Sequence, residues 1–180
     1  MGYCGAHRPG EKDIMATYFG KYRGKVKNNI DPMMLGRIQA SVPDVLGDNF
    51  MNWAMPCVPY AGSGVGFFMI PPNDANVWIE FEGGNIDKPI WSGCFWADGE
   101  VPASPALPQM KIVKLDTITL TLNELPGIGG VTLEVSPPTV ALPLKMTFDM
   151  NGIKLDAGPL GTVELTPAGV KINSGALEVT

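Results

Sequence analysis

The chain has 180 residues, of which 45% are hydrophobic and only 17% charged, with Gly 22, Pro 17, Cys 3 and a formal net charge of −5. That length allows one domain with an extension or two small ones, and the many glycines and prolines favour short strands and turns over helices. The basic residues gather near the start and leave an acidic body, which argues against a chain that coats nucleic acid along its whole length.

Residues 1–17 form an N-terminal arm without periodicity, in which His7-Arg8-Pro9-Gly10 reads as a turn or extended stretch. Met1-Gly2-Tyr3-Cys4 is followed by charges rather than an apolar core, so no secretory leader is expected. The three cysteines, Cys4, Cys57 and Cys94, form no CxxC pair, which fits reduced thiols in a protein that folds in a cytoplasm. Within residues 1–40, Arg8, Lys12, Lys21, Arg23, Lys25, Lys27 and Arg37 outnumber Glu11, Asp13 and Asp31. Two readings of that cluster stay open: a solvated strand face, or an electrostatic docking surface for an acidic partner.

From Tyr18 a β pattern begins. Strands are predicted at Tyr18–Lys27, Gly36–Pro43, Trp53–Tyr60, Gly66–Ile70, Asn76–Glu82 and Pro89–Trp96. Asn28–Pro32, Val45–Asn49, Pro71–Asp74 and Glu82–Asn85 supply turns and loops. Alternation puts Ile38, Ala40 and Val42 on one face, and likewise Val77, Ile79 and Phe81. Pro56 and Pro59 suit an edge or a bulge. Five or six short strands over residues 18–98 fit a small closed barrel of the oligonucleotide/oligosaccharide-binding (OB) type. The uncharged window Met51–Asn73 is no membrane span, because Pro56, Pro59, Pro71, Pro72 and three glycines forbid a lipid-exposed helix. A soluble protein is expected.

Residues 99–110 change character. Pro102, Pro105 and Pro108 sit three apart, the repeat of a polyproline II helix, and read as a semi-rigid linker at a domain boundary.

Residues 111–180 repeat one phrase: a turn residue, then aliphatic, polar, aliphatic. It reads Gly130-Val131-Thr132-Leu133-Glu134-Val135, Gly152-Ile153-Lys154-Leu155, Gly161-Thr162-Val163-Glu164-Leu165, Gly169-Val170-Lys171-Ile172 and Gly175-Ala176-Leu177-Glu178-Val179. Thr117–Leu122 alternates in the same way, and a turn must lie at Asn151-Gly152, where the apolar phase flips. Each run has a narrow apolar face, too little to close a core alone, and such units bury themselves by stacking. A β-sandwich within one chain would do this, as would three chains wound about one axis. Short phrases without large aromatic core residues favour the trimer.

Taken in order, Gly24-Lys25-Val26, Asn29-Ile30-Asp31-Pro32, Leu35-Gly36-Arg37-Ile38, Val42-Pro43, Trp53-Ala54-Met55-Pro56, Gly64–Gly66, Pro72, Val77–Gly84 and Pro89 to Gly93 resemble the baseplate assembly protein V family of contractile-tailed phages. The succession is also similar to the spike module of T-even puncturing proteins and of type VI secretion VgrG proteins. The fold this implies is all-β: an N-terminal OB-fold barrel followed by a C-terminal intertwined triple-stranded β-helix in a homotrimer. The resemblance further implies docking under a baseplate hub, transient contact with a target cell envelope, and no nucleic-acid partner. Absence of a lysozyme-like segment between barrel and tail leaves murein cleavage unsupported.

On this reading Val131, Leu133, Ile153, Leu155, Val163, Leu165, Val170 and Ile172 line the trimer axis. Lys21, Arg23, Lys25, Lys27 and Arg37 are the candidate hub-docking residues. Metal-binding tips in such phage proteins use closely spaced histidines, whereas this chain has only His7. Leu177, Val179 and Thr180 instead suggest a flat platform for a separate PAAR-like tip protein.

No catalytic constellation is visible, and neither a cofactor nor a metal site is expected. Cys4-x-x-His7 with Cys57 and Cys94 is a weak zinc pattern without a second short-spaced pair. Gly62-Ser63-Gly64-Val65-Gly66 lacks the strand-then-helix context of a nucleotide loop and reads as a barrel turn. Trp53, Trp78, Trp91 and Trp96 could stack on bases, so a single-stranded nucleic-acid-binding OB protein is the alternative function. A lytic enzyme is a third and weaker one.

Overall fold

The computed structural model describes residues 17–173 and 176–179. The chain divides into two compact units, residues 1–97 and 98–180.

The first unit carries β1 (Tyr22–Asn28), β2 (Gln39–Ser41), a single helical turn α1 (Pro43–Leu46), and β3 (Met55–Pro56). A small hairpin follows, β4 (Ala61–Gly62) with β5 (Val65–Gly66), and then β6 (Asn76–Phe81) and β7 (Pro89–Cys94). The main sheet runs β2-β1-β6-β7-β3, antiparallel except for the parallel pair β3–β7. An antiparallel bridge between Ile38 and Ala54 joins the segment before β2 to the segment before β3 and closes the ring. A closed five-stranded barrel removes the free edges that an open sheet would expose.

Its core follows from period-two alternation. Val26, Ile38, Ala40, Val42, Ala54, Val77 and Ile79 are completely buried, with Met51, Phe81 and Trp91 nearly so. Gly24 is required by close approach, since a Cβ there would lie 3.0 Å from Ile79 Cγ1 and 3.1 Å from the Ser41 carbonyl oxygen. The observed strands are shorter than the sequence suggests. Pro56 and Pro59 have no N–H to continue a ladder, which confines β3 to Met55–Pro56. Of the expected Gly66–Ile70 strand only Gly66 pairs, at the end of β5, and Pro43, expected to end a strand, instead starts α1, which runs into the expected Val45–Asn49 loop.

The second unit is one antiparallel sheet. Its strands are β8 (Met110–Lys114), β9 (Ile118–Asn123), β10 (Gly130–Val135), β11 (Leu144–Asp149), β12 (Gly152–Asp156), β13 (Thr162–Thr166), β14 (Gly169–Ile172) and β15 (Leu177–Val179). Each pairs with its neighbours in sequence, so the order β15 to β8 is a simple meander. At the turn between β11 and β12, the Asn151 N–H donates to Asp149 Oδ1 at 2.7 Å. Gly152 then adopts φ 131°, where a Cβ would lie 1.9 Å from the Leu165 carbonyl oxygen, so only glycine fits.

Successive strands of the second unit hydrogen-bond to one another within the chain. One feature differs from the sequence reading. Residues 99–109 are not a continuous polyproline II helix: Leu107 N–H donates to the Pro105 carbonyl and Met110 N–H to that of Leu107, and such a helix has no internal hydrogen bonds.

Candidate functional site

Directly paired residues share a face of a sheet, so the register of the second unit defines two surfaces. One row across the strands reads Val113, Leu120, Leu133, Met146, Leu155, Val163, Ile172, Leu177. The next reads Lys111, Leu122, Val131, Phe148, Ile153, Leu165, Val170, with Val179 at the final register position. Apart from Lys111, whose ammonium pairs with Glu124, both rows are apolar. All eight residues expected at an axis fall on this face, four in each row. No described residue of this unit is buried, and Leu165 is 42% exposed. An open trough of about 540 Å³ runs over Leu133, Met146, Leu155, Val163 and Ile172.

Met146 and Phe148 belong to this face but were not singled out in the sequence. Leu144-Lys145-Met146-Thr147-Phe148 alternates like the other strands yet lacks the leading glycine that marks them.

The opposite face is polar and its charges alternate in sign across strands, as in Glu134–Lys145–Asp156 and Lys154–Glu164–Lys171. Lys154 Nζ lies 3.2 Å from Asp156 Oδ2 and 3.4 Å from Glu164 Oε1, which raises the Lys154 pKa, Asp156 contributing most. Asp156 is held below the usual carboxylate range, first by the Gly158 N–H and then by Lys154.

In the barrel, the exposed side of β1 presents Arg23, Lys25 and Lys27, and Lys21 lies just before it. Lys21 Nζ is 2.9 Å from Glu80 Oε1 and donates to Ser92 Oγ at 2.7 Å, lowering the Glu80 pKa chiefly through the Lys21 bond. The Arg23 guanidinium sits over the Trp78 and Phe95 rings, 5.2 and 4.8 Å from their centroids. Lys27 lies 3.5 Å from Asp74.

Arg37 is used differently. Its Nη2 and Nε donate to Asp31 Oδ1 at 2.6 and 3.1 Å, and its planar group lies over Trp53. Asp31 also accepts the backbone N–H groups of Met33, Leu35 and Arg37. Its side chain is only 4% exposed, and the Arg37 bond above all holds its pKa far below the usual carboxylate range. Arg37 therefore staples the loop from Asn29 to Gly36. The sequence signal was present in Asp31-Pro32 followed six residues later by an arginine.

Leu177 is exposed on β15, the outermost strand of the sheet, while Thr180 lies outside the described residues. Cys4 and His7 lie there too. Cys57 and Cys94 are free thiols, that of Cys94 pushed up by burial. Among the described residues no group of three or more His, Cys, Asp or Glu gathers as a metal site, and no helix is long and apolar enough to cross a membrane. Gly62–Gly66 forms the β4–β5 hairpin. Trp91 is in the core, where its indole N–H donates to the Gly36 carbonyl at 3.1 Å.

Comparison with family models divides the chain into the same two parts. Residues 22–96 match the type VI secretion system/phage-baseplate injector OB domain. Residues 110–178 match the phage baseplate V C-terminal trimerisation domain. The chain belongs to the phage baseplate V family. No curated protein matches it in sequence. As a baseplate V protein it is all-β, a homotrimer through its C-terminal unit, and a structural component of a phage baseplate or type VI injector spike.

Proposed function

We propose that this baseplate V protein is the central spike of a contractile injection machine, docked by its barrels under the hub and driven through the target cell envelope when the sheath contracts. The observation that carries this reading is the apolar face two rows deep, which no described residue of its own chain covers. Three such sheets turned face inward give a rod with a dry centre, wound as a triple-stranded β-helix, and the charged rows outside. Within each sheet the backbone ladder is continuous, so an axial push is borne by hydrogen bonds along every chain as well as by the packing between chains. The eight axis residues would be those named above, and the function would be mechanical rather than enzymatic.

The basic face of β1 is the proposed hub contact, with Lys25 and Lys27 at its centre. Arg37 is better explained as the loop staple. The β15 end, with Leu177, Val179 and Thr180, would be the platform for a separate PAAR-like tip protein. Light scattering during size exclusion tests the reading. Three times the 19.2 kDa chain mass is expected at micromolar concentration, and a solitary chain would overturn it.

The nucleic-acid reading is less favoured, because Arg23 already occupies the faces of Trp78 and Phe95 on which bases would stack. Oligonucleotide binding at moderate salt should be undetectable.

A further inference from the structure

The barrel has a second surface that neither its own core nor the sheet's trimer contact explains. Ile30, Met33 and Met34 stand out from the stapled loop, with Met34 86% exposed, and Phe67, Phe68 and Met69 follow the β4–β5 hairpin, with Phe68 75% exposed. Loop and hairpin adjoin: a Cβ on Gly36 would lie 3.0 Å from Ile70 Cδ1 and 3.4 Å from Phe68, and Asn29 Nδ2 donates to the Pro71 carbonyl at 3.1 Å. Between them runs an apolar groove of about 380 Å³ lined by Leu35, Val58, Tyr60, Val65, Phe68 and Ile70. Contiguous exposed apolar surface of this kind marks an interaction site on a soluble domain.

We infer that the barrels of the trimer contact one another here, the 30–35 loop of one copy seated in the 60–70 groove of the next. The inference rests on the homotrimer described above. Three observations select a second copy as the occupant. First, residues 32–36 and 60–73 carry no charge, and Asp31, the one charged residue of the 30–35 loop, is buried in its pair with Arg37. Around a threefold axis every charge is presented three times, so an uncharged surface is the one that identical copies can bring together without repulsion. Second, a cyclic trimer needs two different complementary patches on each copy, and the barrel supplies a protruding loop and a receiving groove. Third, the copies are already joined through the sheet, and residues 98–109 span roughly 40 Å at full extension. That tether holds the barrels at an effective concentration on the order of millimolar, enough to populate a modest interface. The Asp31–Arg37 staple fixes the loop before contact, which reduces the ordering cost of docking.

The test uses the full-length trimer without any hub. The photocrosslinking amino acid p-benzoylphenylalanine is placed at position 34, and trimers are assembled from mixed isotope-labelled and unlabelled chains so that mass spectrometry separates crosslinks between chains from those within one. Crosslinks between chains mapping to Tyr60–Ile70 are expected, with few from the same probe at position 88. Phe68→Asp should reduce them at least about fivefold while light scattering still reports a trimer, since Phe68 is exposed and outside the barrel core. An intact trimer that gives only crosslinks within one chain, or gives intermolecular ones only after a hub protein is added, would overturn the inference. Loss of the trimer itself would instead contradict the reading on which it rests.

Discussion

The two units use the same alternation to opposite ends. In the barrel, β1, β2, β6 and β7 turn their apolar positions onto one another, and Val26, Ile38, Val42, Val77 and Ile79 lose all contact with water. In the sheet, strands of comparable length pair as regularly, yet every described residue keeps some exposure because no described strand forms a second layer over it. Closure distinguishes them. A five-stranded sheet that curls onto itself supplies its own second layer, whereas an eight-stranded meander leaves a whole face for others to cover. Hydrogen bonding alone therefore does not make an interior: strands pair in both units, and only one of them has a buried core.

The largest expected break in this contrast comes from the sheet. Leu165→Asp or Ile153→Asp puts a carboxylate on the apolar face three times over and should abolish the trimer in light scattering, while the barrel keeps its circular dichroism. A trimer with unchanged melting would remove both residues from the interface. The mirror experiment is Ile79→Ala. It should cost the barrel about 2–5 kcal/mol in denaturant unfolding yet leave the trimer mass intact, and dissociation instead would mean that the units are not independent.

A smaller effect sharpens the role of the loop. Asp31 has a depressed pKa when folded, so its stabilising contribution is complete above its ordinary pKa and is lost as pH falls through and below that range. The melting temperature of the barrel should therefore drop between about pH 4 and pH 2, and Asp31→Asn should be less stable at neutral pH and flatten that drop. An identical acid limb in the variant would show that the staple does not contribute. The smallest change is expected from Lys154→Met on the charged face, a slight fall in trimer melting that vanishes in high salt. A large, salt-independent loss would mean the polar face is buried.

Much of this contrast was legible in the sequence because alternation reports which side chains share a face. Ile38, Ala40 and Val42 were grouped that way, as were Val77, Ile79 and Phe81, and so were the axis residues. Alternation does not report the partner of a strand, so the pairing of β8 to β15 within one chain could not be read from it. Strand length was also obscured where proline acts: Pro56 and Pro59 remove donors from an otherwise strand-like run and shorten β3. Arg37 was grouped with the basic cluster because formal charge carries no geometry. The carboxylate six residues away, gathering three backbone N–H groups, decides its role. Phe67 and Phe68 looked like strand residues, and only the fold shows them beyond the hairpin, facing out.

Amide hydrogen exchange in β12 and β13, followed as the full chain is diluted through the trimer dissociation range, tests the dependence of the sheet on its copies most directly. Protection of Ile153, Leu155, Val163 and Leu165 should collapse in step with the loss of trimer, while that of Val26, Val77 and Ile79 in the barrel persists. Slow exchange in β12 and β13 of a solitary chain would show that the sheet has an interior of its own.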